Sequence, residues 1–238
     1  MAETVLETEG LTMRFGGVVA VDNVSLKLAA RELRCLIGPN GAGKSTFFKC
    51  LCGLLTPTDG RVYLRGEDTT GWETHQIAAL GVGIKMQVPS VMDGLSVHEN
   101  IWMAARRHDD TAGANDRAEE VIARLALGPI ARSPLARLAH GERQRVELGI
   151  VMAADPWLVL LDEPAAGMTA EEVARMGEII REMTRTAAVL IVEHDMQFIR
   201  ALASTVTVFH RGRVLMEDHV DRVMADPVVR DVYLGKQA

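Results

Sequence analysis

The sequence predicts an α/β protein in which a helical segment interrupts a mostly parallel sheet. Residues 157–161 and 189–192 are short, continuous apolar runs, which are typical of strands buried on both faces of a parallel sheet. Helical patterns separate these runs, and strands alternating with helices indicate an α/β architecture. Residues 92–153 carry three successive helical patterns. We therefore expect one domain over residues 1–238, with a helical subdomain at 92–153 inserted within it.

The first third of the chain reads as short strands. Residues 24–28, 33–37 and 62–64 alternate apolar and polar side chains, which predicts strands with one buried face. A helix is expected directly after Gly43.

The middle third is helical. Ser96, with Glu99 three residues later, forms a capping box that opens a helix. The polar, glycine-containing residues 108–115 predict an exposed loop. Apolar residues at helical spacing in 118–125 predict a second helix, and a third is expected over about 141–153.

The last third returns to alternating elements. Thr169 and Glu172 form a second capping box after the buried strand. Residues 206–215 predict a closing hairpin, and Asp226 before Pro227 predicts a final helix.

Composition excludes several classes of protein. The 238 residues include 26 Lys and Arg against 32 Asp and Glu, a net charge of −6, which argues against general nucleic-acid binding. No apolar run approaches the roughly 18 residues of a membrane-spanning helix, and the first residues lack the pattern of a secretory signal. Cys35, Cys50 and Cys52 are too few for a disulfide framework and indicate a reducing compartment. Cys50 and Cys52 could suggest a metal pair, but without a nearby Cys or His we expect core residues.

The strongest motif is the glycine-rich segment of residues 38–45. It matches G-x-x-x-x-G-K-[ST] at every fixed position and lies between a predicted strand and a helix. Its glycines allow backbone N–H groups to form an anion nest, and the helix N-terminus adds partial positive charge. Lys44 would contact terminal phosphates, and the Ser45 hydroxyl would reach Mg²⁺. The predicted nucleotide-binding residues here are Asn40, Gly41, Ala42, Gly43, Lys44, Ser45 and Thr46.

An acidic pair ends the predicted strand over 158–161. Adjacent strand residues point in opposite directions, so Asp162 and Glu163 cannot share one role. Asp162 is suited to hold Mg²⁺ through water, and Glu163 to polarise an attacking water. Metal-assisted phosphoryl transfer needs both roles.

With these motifs in this order, the chain resembles the ATP-binding cassette (ABC) family over nearly its whole length. The resemblance includes Gln87 after a predicted strand, residues 138–142, and His194 after the strand at 189–192. It implies a P-loop NTPase core, an N-terminal antiparallel β subdomain and the inserted helical subdomain. ATP and Mg²⁺ would be the cofactors.

The resemblance also implies roles for single residues. Gln87 would touch Mg²⁺ and the attacking water, and His194 the γ-phosphate. The implied catalytic residues are thus Glu163, His194 and Gln87, and the implied metal ligands are Ser45, Gln87 and Asp162. Phe15 would stack on adenine, with ordinary core packing as the alternative, and Val21 would line the ribose.

The segment that would face ATP on a partner cassette departs from the family's Leu-Ser-Gly-Gly-Gln pattern. The signature residues of this chain are Leu138, Ala139, His140, Gly141 and Glu142. Ala139 cannot donate the hydrogen bond that a serine donates to phosphate. We therefore expect the protein alone to be a poor ATPase and a weak homodimer, paired in a transporter with a second cassette. A heterodimer is favoured, and a homodimer is the alternative.

A narrower similarity joins the chain to ATPase subunits of branched-chain amino acid importers and their urea and short-amide relatives. It rests on residues 32–38, 162–168 and 232–235. It implies the ATP-hydrolysing subunit of a bacterial importer, cytoplasmic and peripheral on the inner face of the plasma membrane. The helical subdomain and residues 88–95 would contact membrane permease subunits, and no nucleic acid is expected. A urea or short-amide importer, a soluble ABC ATPase and a nucleotide-gated scaffold with little turnover remain alternatives.

Overall fold

The computed structural model describes residues 3–87, 91–107 and 109–234. Residues 88–90 of the expected permease contact, His108 of the predicted loop and Gly235 lie outside these ranges. The strands are β1 (Thr4–Phe15), β2 (Val18–Ala29), β3 (Leu33–Ile37), β4 (Asp59–Leu64), β5 (Glu67–Asp68), β6 (Val82–Lys85), β7 (Leu158–Asp162), β8 (Ala188–Val192), β9 (Thr205–His210) and β10 (Arg213–His219). The helices are α1 (Lys44–Leu51), α2 (Thr74–Ala79), α3 (Val97–Ala105), α4 (Thr111–Arg124), α5 (His140–Ala153), α6 (Ala170–Met183), α7 (Met196–Leu202), α8 (Val220–Ala225) and α9 (Pro227–Leu234).

The described strands form two sheets. A four-stranded antiparallel sheet has the order β2-β1-β4-β5, and a six-stranded sheet has the order β10-β9-β3-β8-β7-β6. The second sheet is parallel except for β10, which closes the predicted hairpin with β9. The expected antiparallel unit and parallel core are both confirmed.

The short strands expected at the N-terminus are wrong in one respect. Strands β1 and β2 each run for 12 residues and pair along most of their length. Their register shifts at several points, for example between Thr8 and Leu11. Each such irregularity breaks the alternation of apolar and polar residues, so the pattern breaks up although the strands continue.

The inner strands β3, β8 and β7 of the six-stranded sheet are buried on both faces, each facing a separate hydrophobic core. In β7, Val159 and Leu161 belong to the core shared with the helices after β6, while Leu158 and Leu160 belong to the core shared with α1 and the four-stranded sheet. This two-sided burial explains the continuous apolar runs in the sequence.

The prediction of a loop over residues 108–115 is wrong for residues 111–115, which are helical. Helix α4 begins at Thr111, with Asp110 as its N-cap, and the Asp110 side chain accepts a hydrogen bond from the Gly113 N–H at 2.8 Å. Most of the first turn faces solvent, so its polar composition suits an exposed helix start as well as a loop. The two predicted capping boxes are confirmed at Ser96 and Thr169.

Helices α3, α4 and α5 pack on one another between β6 and β7; we call them the helical insertion. The boundary at residues 92–153 stays a prediction. The insertion meets the rest of the molecule through a buried ion pair, Lys85 with Glu147, whose Nζ and Oε2 atoms are 3.4 Å apart. Burial lowers the pKa of Lys85 and raises that of Glu147, and each charge opposes the shift of the other.

All three cysteines are free and buried, so the expectation of core residues is confirmed. Burial raises the pKa of Cys50 to about 11, which keeps its thiol protonated at neutral pH. Among the helices that the structure describes, we find none with the length and apolar character needed to cross a bilayer.

Asn100 should be a main anchor of the segment that enters the helical insertion. Its buried side chain accepts from the Met92 N–H at 2.9 Å and donates to the carbonyls of Met92 at 3.1 Å and Ser96 at 2.9 Å. Asn100→Ala should lower the free energy of unfolding by about 2–3 kcal/mol, since three hydrogen bonds of about 1 kcal/mol each are lost. Urea unfolding measures this, with Asn115→Ala, at an exposed position of helix α4, as the control. Equal stability of the two variants would contradict the assignment.

Candidate nucleotide site

The candidate site lies at one edge of the six-stranded sheet. Strands β3, β8, β7 and β6 are parallel neighbours, so their carboxyl ends share this edge. The glycine-rich loop follows β3, and Gln87 follows β6. Asp162 ends β7 with Glu163 next in the chain, and His194 follows β8. Four segments far apart in sequence thus bring the expected residues to one place.

The loop after β3 has a backbone that only glycine adopts easily. Gly38, Gly41 and Gly43 have φ values of 150°, 78° and 103°. A Cβ atom on Gly38 would lie 2.3 Å from the Phe209 carbonyl oxygen, and one on Gly43 would lie 2.3 Å from that of Ala20. The loop is therefore held by close backbone contacts, and its open side faces the sheet edge, where Asn40 and Gly41 are exposed.

Lys44 is the first residue of α1 and is 93% buried, with a relative exposure of 7%. Its ammonium group donates to the carbonyl oxygens of Gly38 at 2.6 Å and Pro39 at 3.1 Å. Burial lowers the pKa of Lys44, and the negative charges of Glu163 and Asp162 oppose that shift. The loop thus holds its own cation beside two carboxylates. Among the other loop residues, Ser45 is exposed, Thr46 is half-buried and Ala42 is buried.

The three residues expected to be catalytic are in contact. The Gln87 Nε2 donates to the Glu163 Oε2 at 3.3 Å, and the His194 Nδ1 lies 3.6 Å from the Glu163 Oε1. Glu163 itself has a positive φ of 46°, while its N–H donates to the Val192 carbonyl at 2.9 Å. This left-handed turn directs a side chain that is one-quarter exposed toward the sheet edge.

Asp162 is only 3% exposed, and burial together with the charge of Glu163 raises its pKa to about 6. A buried carboxylate of this kind favours a nearby cation. The Ser45 hydroxyl and the Gln87 amide oxygen are the other donors expected to join Asp162 around a metal ion, and Mg²⁺ prefers oxygen donors of this kind. The donor set therefore fits Mg²⁺.

The exposures of Phe15 and Val21 bear on the contacts expected beside the nucleotide base and ribose. Phe15, at the end of β1, is 48% exposed, so the alternative of ordinary core packing is wrong. Val21 is fully buried in the core under the four-stranded sheet, so its side chain cannot line a ribose. Val18, the strand partner of Phe15, is 66% exposed and is the apolar side chain that lies open there.

The signature residues open helix α5. Ala139 is the N-cap and offers no side-chain hydrogen bond, while the Glu142 carboxylate reaches back to accept from the Ala139 N–H at 3.0 Å. The charge of Glu142 is therefore used to cap the helix rather than directed outward. Leu138, just before the cap, packs partly against the core of the helical insertion.

Two residues of the signature segment, His140 and Gly141, lie close to the segment that follows Glu163 in the same chain. The His140 Nε2 lies 2.9 Å from the Ala166 carbonyl oxygen, in the loop that follows Glu163. A Cβ atom on Gly141 would lie 1.9 Å from the Glu172 Oε1, so the helix passes close to the start of α6.

Sequence reasoning missed two supporting residues. Gly212, in the β9–β10 turn, donates to the Ala42 carbonyl at 2.9 Å and accepts from the Asp22 N–H at 2.8 Å, which braces the glycine-rich loop. Glu193 is 1% exposed and accepts from the Ala165 N–H at 3.2 Å. For Glu193, the only indication in the sequence was its position next to His194. For Gly212, the predicted hairpin did not indicate which segment it would contact.

Comparison with known proteins agrees with this geometry. A family model described as "ABC transporter" matches residues 21–166. The chain belongs to the ABC transporter family. It is an ATP-binding cassette, and its expected activity as an ATPase is confirmed at the level of the family.

Full-length relatives support the same assignment. The chain is 34% identical to the high-affinity branched-chain amino acid transport ATP-binding protein LivG of Salmonella typhimurium, covering 99% of this chain and 100% of LivG. It is 33% identical to BraF of Pseudomonas aeruginosa, again over 99% and 100% of the two chains. A solved ATP-binding cassette of an ABC transporter in its ADP conformation has a TM-score of 0.87 and 24% identity, covering 98% of this chain and 99% of that one. This structural likeness supports the fold.

Asp162→Asn should stabilise the protein in Mg²⁺-free buffer. The folded pKa of about 6 lies above the value of an unfolded aspartate, so the unfolded chain ionises first as the pH rises, and stability falls between about pH 4 and pH 6. The amide does not ionise, so Asp162→Asn should raise the free energy of unfolding by up to about 3 kcal/mol at pH 7 and by close to zero at pH 4. Denaturant unfolding at both pH values measures it, with exposed Asp116→Asn as the control. An equal effect at the two pH values would contradict the burial argument.

Proposed function

We propose that the chain is the ATP-hydrolysing subunit of a bacterial importer for branched-chain amino acids. It would act on the inner face of the plasma membrane and drive uptake through membrane permease subunits. The solute is supported by LivG and BraF, branched-chain amino acid transport ATP-binding proteins that match 99% of the chain. The catalytic assignment is carried by one observation, the contact of Gln87 and His194 with the Glu163 carboxylate beside Lys44.

Each residue has a role that its surroundings suit. The Lys44 ammonium, now held by two loop carbonyls, would exchange them for oxygens of the terminal phosphates. Glu163 would take a proton from the attacking water, with Gln87 orienting that water and His194 donating to the γ-phosphate. Phe15 and Val18 would cover the adenine.

Ser45, Gln87 and Asp162 would hold Mg²⁺, which neutralises charge on the bound phosphates. A cation there would also keep Asp162 ionised, against the burial that raises its pKa to about 6.

A second cassette would complete the site. The signature segment, residues 138–142, would face ATP held by the partner, in a heterodimer or a homodimer. Ala139 offers no hydroxyl, and its N–H is already bonded to Glu142. The helix N-terminus remains, and its contribution of about 0.3–1 kcal/mol is smaller than the 1.5–3 kcal/mol of a hydrogen bond to a charged group. We infer two unequal ATP sites and a weak homodimer of this chain.

Glu163→Gln should retain ATP binding and lose turnover by about 10²–10⁴-fold, because an amide cannot take up the proton. A phosphate-release assay together with nucleotide binding measures both effects. Glu178→Gln, on the exposed face of α6, is the control and should keep normal turnover. Normal turnover in Glu163→Gln would rule out its role as the base.

Ala139→Ser should raise turnover or ATP-driven dimerisation of the isolated chain by up to about tenfold, the equivalent of 1.4 kcal/mol. The added hydroxyl supplies the missing donor to phosphate. Light scattering with ATP, in the Glu163→Gln background, reports dimerisation. A wild-type chain that already dimerises tightly, with no gain from serine, would contradict the inference.

The solute is tested by uptake. A strain lacking this chain should lose uptake of labelled leucine, isoleucine and valine, and the wild-type chain but not Glu163→Gln should restore it. Unchanged amino acid uptake with lost uptake of urea or a short amide would favour that alternative instead.

A further inference from the structure

The buried ion pair between strand β6 and helix α5 lies outside the residues proposed to contact nucleotide, although the Lys85 charge opposes the raised pKa of Asp162. Lys85 is the last residue of β6, and Glu147 lies on α5 two turns after its start. Their side chains are only 2% and 4% exposed. Two charges removed from water this completely rarely stabilise a protein more than an apolar pair of similar size, so their presence calls for another explanation, such as fixing one packing arrangement over others.

The pair is also loose. The distance of 3.4 Å from the Lys85 Nζ to the Glu147 Oε2 exceeds the 2.7–2.9 Å of a close charge-assisted hydrogen bond. Within the described part of the chain, neither Glu147 oxygen has a hydrogen-bond partner. A cavity of about 50 Å³ adjoins the pair and is otherwise lined by Ile84, Met86, Val91, Ile150 and Val151. Unsatisfied acceptors next to empty space leave room for α5 to shift and close the contact.

The pair links the strand that leads to Gln87 with the helix that carries the signature segment. Lys85 is two residues before Gln87, whose amide contacts the proposed catalytic base. On α5, the Arg143 Nε lies 3.8 Å from the Glu147 Oε1, and its Nη2 is 2.6 Å from the Asp93 Oδ1. Charged side chains therefore run from the strand before Gln87 to the helix that carries the signature segment.

We propose that Lys85 and Glu147 are positioning residues that set the orientation of the helical insertion and transmit nucleotide binding from Gln87 to the signature segment. In the ATP-bound chain the 3.4 Å contact shortens as α5 moves toward β6. The inference rests on the proposed function at Gln87 and adds the residues through which the insertion responds.

A surface ion pair provides a matched control. The Arg117 Nη2 on α4 lies 2.8 Å from the Asp155 Oδ1, so this pair joins the insertion to the turn that leads from α5 into β7. It is 26% and 74% exposed, and exposed pairs contribute little. Arg117→Met with Asp155→Asn, which keeps a residue suited to the positive φ of 46° at position 155, should therefore leave the response unchanged.

The test uses the full chain with spin labels on Met103→Cys in α3 and Leu215→Cys in β10, two exposed positions on opposite sides of the junction. The three native cysteines are buried, so labelling is selective. Distances are measured by electron paramagnetic resonance with and without ATP, in the Glu163→Gln background that retains ATP. Lys85→Met with Glu147→Leu removes both charges, which avoids the unpaired buried charge that either single change would leave.

We expect ATP to shift the mean label distance by about 2 Å or more in the chain with the native pair and in the Arg117/Asp155 control. The Lys85/Glu147 double variant should lose this shift while still melting cooperatively. With Glu163 restored, its kcat should fall about fivefold or more, at the lower end of typical site-to-site coupling, while the KM for ATP stays within about twofold.

A double variant that keeps the full shift and the native kcat would overturn the proposal. If that variant does not fold, Lys85→Gln with Glu147→Gln decides by the same readouts, since it removes both charges and keeps polar side chains of similar size. ATP binding without any shift in the native pair would overturn the proposal and leave the ATPase assignment intact. Absence of ATP binding would instead remove the proposed function, and this inference with it.

Discussion

Strand β3 is hydrogen-bonded to β8 on one side and to β9 on the other, and all five of its residues are buried. That confinement fixes where the glycine-rich loop begins, because Gly38 meets the Phe209 carbonyl at a distance no side chain allows. The β7–β8 register, in which Asp162 pairs with Val192, then places Glu163 beside the residues that follow β8. The geometry of the site is thus a consequence of strand pairing, and few side-chain contacts are needed to build it.

The buried charges of the site lower the stability of the folded chain. Asp162 and Glu193 are almost fully buried, and burial raises the pKa of both carboxyls. Lys44 is buried too, and burial lowers its pKa. A bound cation and phosphates would supply the missing counter-charges. Groups that destabilise the fold are commonly found at sites that bind a ligand. The ATPase function therefore explains why these buried charges lie together at one edge of the sheet.

The helical insertion is joined to the rest of the chain by ionic contacts of different kinds. If the exposed pair of Arg117 and Asp155 separates, water solvates both charges at little cost in free energy. Lys85 and Glu147 are buried, so separating them would leave each charge without solvation. A buried pair therefore distinguishes between nearby orientations of α5 more sharply than a surface pair does. The signature segment moves together with α5, because the Ala139 N–H donates a hydrogen bond to the Glu142 carboxylate in the first turn of that helix.

The sequence by itself determined the features that depend on neighbouring residues: the glycine-rich loop, the acidic pair, the capping boxes and the apolar runs of the sheet. It also placed Gln87 and His194 through their order along a familiar family pattern. Only the tertiary structure decided that Val21 is buried while Val18 is open, that Gly212 braces Ala42, and that Lys85 meets Glu147. Those outcomes depend on contacts between segments far apart in the chain and on strand irregularities that shift the register, and neither leaves a trace in local residue patterns.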